Sequence, residues 1–230
     1  MRIILLLFLV ILLNAKTLIA TYEAKYGFFT IAKAKGIFEY NSTNYKIFTS
    51  MKTLGIAKAF SKNLTQTYSS VGIVKNGILI PKKYITTRKN NTKSYKTIYL
   101  FDHKTKKIRK IKYKNGNLEL NETFKYYTPN DILSLYFNFP KYLKNLPKKD
   151  TYTFYALGAR KKDGKIDISI IDAKNNIKLK VNLYNKVFVG DKGILYLTIN
   201  PTNWVTLKGI VKNVLKIEDL KGKIISFKVN

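Results

Sequence analysis

The chain has 230 residues, 46% of them hydrophobic, so it is long and apolar enough to build a substantial core, which excludes a disordered chain. Its 43 Lys and Arg residues against 13 Asp and Glu residues give a formal net charge of +30. Because it has no cysteine, a disulfide-stapled fold and a lipid anchor on cysteine are both excluded.

The N-terminus predicts an export signal. Arg2 provides a positive charge, and residues 3–13 form an unbroken apolar run. This length fits the roughly 7–15 residues of a signal-peptide core, whereas a membrane-spanning helix needs about 20. We therefore expect a signal peptide over residues 1–15, with cleavage near Ala15 or, as a second candidate, Ala20, and a periplasmic or secreted mature protein.

Alternation of polar and apolar residues predicts strands along most of the mature chain, for example over residues 45–52. Turn signals such as Asn76-Gly77 and Asn115-Gly116 separate these segments. The pattern predicts a mainly β fold: a curved antiparallel sheet or barrel-like meander with one short central helix. We expect a single β-rich domain over residues 21–230, and two lobes joined near residues 128–150 are the alternative.

The central helix is predicted from its start and stop signals. Thr128 is a suitable N-cap residue, Pro129 suits the first helical position, and Asp131 places an acid three residues after the cap. An apolar face follows, and Pro140 would end it. These signals predict a helix over residues 129–138.

The aromatic residues suggest an apolar groove. The chain has 17 Tyr and 13 Phe, most of which must serve ordinary packing. A minority could line a groove for a lipid-like ligand, with the central helix as its lid. The candidates for this groove are Phe28, Phe29, Tyr126, Tyr127, Tyr136 and Phe137.

The positive charge has two interpretations, a polyanionic partner or a lysine-rich composition spread over solvated strands. Arginine, which grips phosphate with two parallel hydrogen bonds, occurs only four times, so we expect no nucleic-acid partner. The densest basic run covers residues 104–114 and is either a contact for an anionic membrane or the outer face of an edge-like strand. The candidate contacts are Lys106, Lys107, Arg109, Lys110 and Lys112.

No catalytic set is visible in the sequence. The only histidine, His103, has neither a nucleophile nor a metal-ligating neighbour nominated by spacing, and we expect it in an exposed turn. Glycine-rich phosphate loops and a nucleophile elbow are missing as well. We therefore expect a protein that is not an enzyme and carries no cofactor or metal.

Ordered features over most of the mature chain resemble an uncharacterised exported bacterial family, the domain-of-unknown-function family 3108. The features are Tyr22 to Gly27 (YEAKYG), Ser69 to Gly72 (SSVG), Gly77 to Tyr84 (GILIPKKY), Phe101-Asp102, Asp131 to Tyr136 (DILSLY), Gly209 and Gly222. The resemblance implies a bacterial envelope protein with a curved antiparallel sheet or barrel, and it brings no catalytic residues. Members are broadly similar to carriers that enclose lipid in a half-open barrel, a likeness of fold alone.

These observations lead to one expectation and two alternatives. We expect an exported, non-enzymatic periplasmic protein that binds a lipid-like or glycan ligand or an envelope partner. The first alternative is a structural or assembly factor that contacts other envelope proteins. The second is a hydrolase of envelope polymers. A deep apolar cavity would favour the ligand-binding protein. A filled core with a flat exposed patch would favour the structural factor, and two facing carboxylates in a cleft would favour the hydrolase.

Overall fold

The computed structural model describes residues 16–143, 150–184, 193–214 and 218–230. Within these ranges the chain forms fifteen strands and two helices. The strands up to the central helix are β1 (Lys16–Tyr26), β2 (Phe29–Tyr40), β3 (Asn44–Thr53), β4 (Thr65–Lys75), β5 (Ile78–Lys89), β6 (Ser94–Asp102), β7 (Lys107–Lys114), β8 (Asn117–Thr123) and β9 (Asn130–Asp131). The later strands are β10 (Thr151–Leu157), β11 (Lys165–Asp172), β12 (Ile177–Asn182), β13 (Ile194–Ile199), β14 (Thr206–Val214) and β15 (Glu218–Val229). The helices are α1 (Gly55–Phe60) and α2 (Ile132–Leu143).

All fifteen strands belong to one sheet in the order β8-β7-β6-β5-β4-β3-β2-β1-β15-β14-β13-β12-β11-β10-β9. Neighbours are antiparallel except β9 and β10, which pair in parallel over two residues. The sheet is two meanders joined where β1 pairs with β15, and β8 and β9 are its free edges, so it does not close into a barrel. The predicted mainly β fold, an antiparallel sheet with a short central helix, is confirmed.

The strands follow the alternation that predicted them. In β3, Tyr45 and Ile47 are buried while Lys46 between them is exposed, because successive side chains of a strand point to opposite faces. The tight turns lie at the predicted positions: Asn76-Gly77 and Asn115-Gly116 all have positive φ. Asn and Gly tolerate this conformation, which suits the twist of a two-residue hairpin.

The central helix begins and ends later than the predicted 129–138. Its cap is Asp131, whose Oδ1 accepts hydrogen bonds from the backbone N–H groups of Leu133 (2.9 Å) and Ser134 (3.0 Å). Thr128 is not the cap, because the helix begins only at Ile132, and the Thr128 hydroxyl donates to the Asn130 carbonyl. Pro140 lies inside α2 rather than ending it. Burial of apolar side chains on either side of the proline offsets a cost of about 3 kcal/mol for a proline in a helix interior.

Helix α2 packs against both halves of the sheet. Leu135, Phe139 and Leu143 join the core formed with β10 to β13. Leu133 and Phe137 pack instead against the buried side chains of β2, β3 and β5. The two meanders thus share one helix as well as the β1–β15 pair.

Two further observations concern the predicted organisation of the chain. The predicted signal peptide, residues 1–15, lies outside the described residues. Ala20, the second cleavage candidate, lies within β1 and pairs with Gly36 of β2 and Phe227 of β15. In the part of the chain that the structure describes, no helix is long and apolar enough to cross a membrane.

Candidate functional site

A cavity of about 700 Å³ lies between α2 and the middle of the sheet. Its apolar wall is formed by Leu18, Ala20, Gly36, Phe38, Val74, Leu79, Leu133, Phe137, Pro140, Trp204, Val205 and Phe227. Tyr22, Tyr40 and Tyr136 add aromatic surface to it. The volume falls within the roughly 300–1,000 Å³ typical of small-molecule sites.

The wall comes from segments far apart in the sequence, which strand register brings together. Inward positions alternate along β1 and β2, so Leu18 lies opposite Phe38, and Ala20 lies opposite Gly36. On the other side of β1, Ala20 also lies opposite Phe227 of β15. Gly36 leaves open space in this wall, since a Cβ built there would come no closer than 3.9 Å to any neighbour.

The charged lining residues gather at one end of the sheet. The start of β1, the turn between β2 and β3, and the turn between β4 and β5 share this end, because antiparallel neighbours reverse direction at each turn. Lys16 begins β1, and Lys141 near the end of α2 reaches over Gly77, where an added Cβ would lie 3.2 Å from its Nζ. We call this end of the cavity, with Lys16, Asn41, Ser42, Lys141 and Asn203, the mouth.

The charged side chains at the mouth are those of two lysines. Among the described residues, those that line the cavity include two lysines and no Asp or Glu. Within the described ranges, neither Lys16 nor Lys141 takes part in an ion pair. Glu39, an acid nearby in β2, belongs to the opposite face by alternation and pairs with Lys46 at 3.7 Å.

A buried polar cluster fixes the N-terminus of α2 against β4. Ser70 Oγ donates a 2.6 Å hydrogen bond to Asp131 Oδ2, and the Tyr45 hydroxyl lies 2.9 Å from Ser70 Oγ. The Ser134 hydroxyl accepts from the Asp131 backbone N–H at 3.0 Å, which completes a reciprocal cap. Burial raises the pKa of Asp131 to about 6, although the hydrogen bonds from Ser70 and the helix N–H groups oppose the rise.

Two more polar side chains hold α2 along its length. Asn138 Oδ1 accepts from the Leu79 N–H at 2.8 Å, and Asn138 Nδ2 donates to the Leu79 carbonyl at 3.0 Å. The Tyr136 hydroxyl donates to the Trp204 carbonyl at 3.0 Å and accepts from the Thr206 N–H at 3.0 Å. Burial raises the pKa of Tyr136, so the hydroxyl keeps its proton for the first of these bonds. The helix is therefore bonded to both sides of the cavity that it covers.

Of the six aromatic residues predicted to form a groove, two line the cavity. Tyr136 and Phe137 do so from α2, and the Phe137 ring packs at a tilt of 40° against Phe38 with ring centroids 4.1 Å apart. Tyr126 and Tyr127 lie elsewhere: Tyr126 packs on Phe124, and Tyr127 hydrogen-bonds His103. Phe28 and Phe29 lie at an exposed hairpin tip. Four of the six candidates are thus not brought to the cavity.

The predicted basic contacts do not share one surface. Strand β7 pairs with β8 on one side and with β6 on the other, so it is not an edge strand. Lys110 and Lys112 lie on one face of β7 and form ion pairs with Glu122 and Glu119 of β8. Arg109 lies on the other face by alternation, where its Nε donates to Asn121 Oδ1 at 2.9 Å. Lys106, in the preceding turn, and Lys107, the first residue of β7, are both exposed.

His103 is not the exposed turn residue that its sequence position predicted. It is half-buried, with Nε2 2.5 Å from the Pro81 carbonyl oxygen and Nδ1 2.7 Å from the Tyr127 hydroxyl. The carbonyl only accepts, so Nε2 carries the proton. The ring thereby joins the β6–β7 turn to β5 and to the segment before α2. Over the described ranges, no group of three or more His, Cys, Asp or Glu side chains could hold a metal ion.

No protein-family model matches this chain, and no curated protein matches it. The resemblance to the domain-of-unknown-function family 3108 therefore stays a prediction.

Proposed function

We propose that this chain is an exported envelope protein that binds a lipid-like ligand, with an acyl chain in the cavity beneath α2. The cavity itself carries the proposal, since it is large, its wall is mostly apolar, and its charged lining residues lie at one end. Burial of apolar surface contributes roughly 25 cal/mol for each Å², so an acyl chain gains most of its binding free energy from such a wall. The predicted signal peptide supports the location outside the cytoplasm.

The arrangement favours an amphiphile over a glycan. Sugar hydroxyl groups need hydrogen-bonding partners when they lose water, whereas the wall offers mainly hydrocarbon and aromatic surface. A single-chain amphiphile would place its tail against Phe38 and Phe227 and its polar head at the mouth. There Lys16 and Lys141 are free to attract a carboxylate or phosphate.

The alternatives find less support in this geometry. A structural factor would not need a cavity of this size under its central helix. A hydrolase of envelope polymers would need two facing carboxylates, and none lines the cavity in the part of the chain that the structure describes. Glu119 and Glu122 lie close together in the sequence, but neither lines the cavity, and both form ion pairs with lysines of β7.

The first test uses the uncharged fluorescent probe N-phenyl-1-naphthylamine, whose emission rises in apolar surroundings. We expect saturable binding by the protein, and competition by palmitate. Gly36→Leu places an isobutyl group in the open space of the wall and should weaken probe binding at least about tenfold. Ser50→Leu is the matched control. Thr49 lines the cavity, so its neighbour Ser50 lies on the opposite face of β3, and leucine at position 50 adds the same isobutyl group outside the cavity.

Circular dichroism and thermal unfolding of both variants would establish that they fold. Equal probe affinity in Gly36→Leu and the wild type would contradict the proposal, as would a wild type that binds neither probe nor palmitate. Native mass spectrometry of the protein purified under gentle conditions, followed by extraction of any bound molecule, would identify the natural ligand.

A further inference from the structure

Four large apolar side chains are exposed at the end of the sheet opposite the mouth. Phe28 is fully exposed and Phe60 is 87% exposed, while Phe29 and Ile56 are 60% and 57% exposed. We call these four residues the apolar tip. Single exposed apolar residues need no explanation, but four in adjoining elements mark an interaction surface.

The topology brings the four residues to one place. Phe28 lies in the turn between β1 and β2, and Phe29 begins β2. Helix α1 follows β3, the other neighbour of β2, and therefore starts at the same end of the sheet. The segment before α1 is bonded to β2, because the Leu54 N–H donates to the Ile31 carbonyl at 2.8 Å. Ile56 and Phe60 are four residues apart and share one side of α1.

Helix α1 lacks the packing that ordinarily stabilises so short an element. It has six residues, and none of them is buried. Isolated helices of this length are marginal in water, and most helices in proteins are held by burial of an apolar face. The turn before β2 also exposes an apolar side chain, since Gly27 at φ +55° turns the chain there and Phe28 is fully exposed. Both elements carry apolar groups that a partner would cover.

The charge around the apolar tip identifies the partner. The segments 24–38 and 50–65 contain no Asp or Glu, and the acids nearest to them at this end of the sheet are Glu23 of β1 and Glu218 and Asp219 at the start of β15. The two segments contain six exposed lysines: Lys25, Lys33, Lys35, Lys52, Lys58 and Lys62. Of these, Lys25 pairs with Glu23 at 3.3 Å, and the other five form no ion pair with any residue that the structure describes. Exposed apolar side chains in lysine-rich segments suit a bilayer with anionic head groups, which takes up both kinds of group.

We propose that the apolar tip docks this protein on an anionic membrane surface. Phe28 and Phe60 enter the boundary between head groups and acyl chains, and the lysines around them contact the anionic head groups. The basic run of β7 is a weaker candidate, since two of its lysines already have carboxylate partners. This proposal does not depend on the cavity, whose charged lining residues lie at the other end of the sheet.

Vesicle flotation tests the proposal. We expect the protein to bind phosphatidylcholine vesicles that contain roughly 30% phosphatidylglycerol at least about tenfold more tightly than pure phosphatidylcholine vesicles, at about 0.1 M salt. The double variant Phe28→Ser with Phe60→Ser should bind the anionic vesicles at least about tenfold more weakly. Leu118→Ser is the matched control, since Leu118 on the edge strand β8 is also 59% exposed but lies away from the tip.

The lysines are tested separately. Lys58→Gln with Lys62→Gln should weaken binding to anionic vesicles and reduce its dependence on salt, whereas Lys106→Gln with Lys107→Gln should leave both unchanged. Wild-type protein that ignores anionic vesicles overturns the proposal, and so does a serine double variant that binds as tightly as the wild type. Loss of binding in the Lys106 and Lys107 variant alone would assign the contact to β7. Sedimentation experiments test the remaining possibility. If the wild type forms dimers and the serine double variant does not, the apolar tip binds a second copy of the chain instead of a membrane.

Discussion

Replacing Asp131 with asparagine should remove a pH-dependent contribution to stability at the N-terminus of α2. The carboxyl group is fully buried, and its pKa rises from an ordinary value of 3.8 to about 6 because burial disfavours the charged form. Asparagine retains an oxygen for the N–H groups of Leu133 and Ser134, and its NH₂ group can donate to Ser70 Oγ. The substitution thus keeps the cap and removes the titration.

The folded state binds the Asp131 proton more tightly than the unfolded state. The stability that protonated Asp131 contributes is therefore fully present below about pH 4 and is lost as the pH rises through about 6. The rise from 3.8 to about 6 corresponds to ~3 kcal/mol. Because the variant cannot ionise at this position, its free energy of unfolding relative to the wild type should increase by ~3 kcal/mol between about pH 4 and about pH 8.

Urea unfolding of both proteins over this pH range measures the difference directly. Asp163→Asn is a control of opposite sign, because Arg160 lowers the pKa of Asp163 to about 2 and the carboxylate there stabilises the folded state once it is ionised. When the measurements are extended down to about pH 2, that variant should lose stability relative to the wild type as the pH rises through about 2 to 4. A difference between wild type and Asp131→Asn that is constant with pH would refute the reasoning about Asp131.

Three further variants test other parts of the structure. Gly72→Ala should destabilise the protein by at least ~3 kcal/mol in urea unfolding, because its Cβ would lie 2.0 Å from the Ile80 carbonyl oxygen; a near-neutral result would contradict this close approach of β4 and β5. Leu135→Ala should lower the free energy of unfolding by about 2–5 kcal/mol, because the Leu135 side chain of α2 is completely buried in the core. A loss below about 1 kcal/mol would contradict that packing. Lys16→Met with Lys141→Met should weaken palmitate binding about tenfold and leave 1-hexadecanol unaffected in competition assays. Equal effects on both ligands would show that the lysines do not bind the head group.

Local signals predicted most of the strands and turns. The alternation around Ile47 and the Asn-Gly pairs at 76–77 and 115–116 depend only on nearby residues, so the sequence displays them directly. The helix bounds were less accurate because they depend on tertiary contacts. Asn130 and Asp131 are drawn into the short strand β9, and burial carries the helix past Pro140. Helix α1 gave no signal, since GIAKAF has neither a cap nor a long apolar period.

The cavity could be predicted only in part, because most of its wall depends on long-range pairing. Tyr136 and Phe137 were found because they lie on the predicted helix. Phe227 reaches the cavity only through the pairing of β1 with β15, which no local pattern reveals. The adjacent aromatics Phe28 and Phe29 look equally suitable in the sequence, yet their position at a hairpin tip exposes them. Aromatic content alone does not distinguish a lining residue from a surface contact.

The way in which α2 is held explains why a cavity exists beneath it. A helix held only by apolar side chains moves toward the sheet until the space between them is filled, since protein interiors pack nearly as densely as organic crystals. Asp131, Tyr136 and Asn138 instead form hydrogen bonds of fixed length to Ser70, to the segment around Trp204, and to Leu79. Closer approach of the helix would break these bonds and leave buried polar groups without partners, at about 1–3 kcal/mol each. These bonds therefore limit how closely the helix packs on the sheet, and under the proposed function an acyl chain would enter at the mouth without rearrangement of the core.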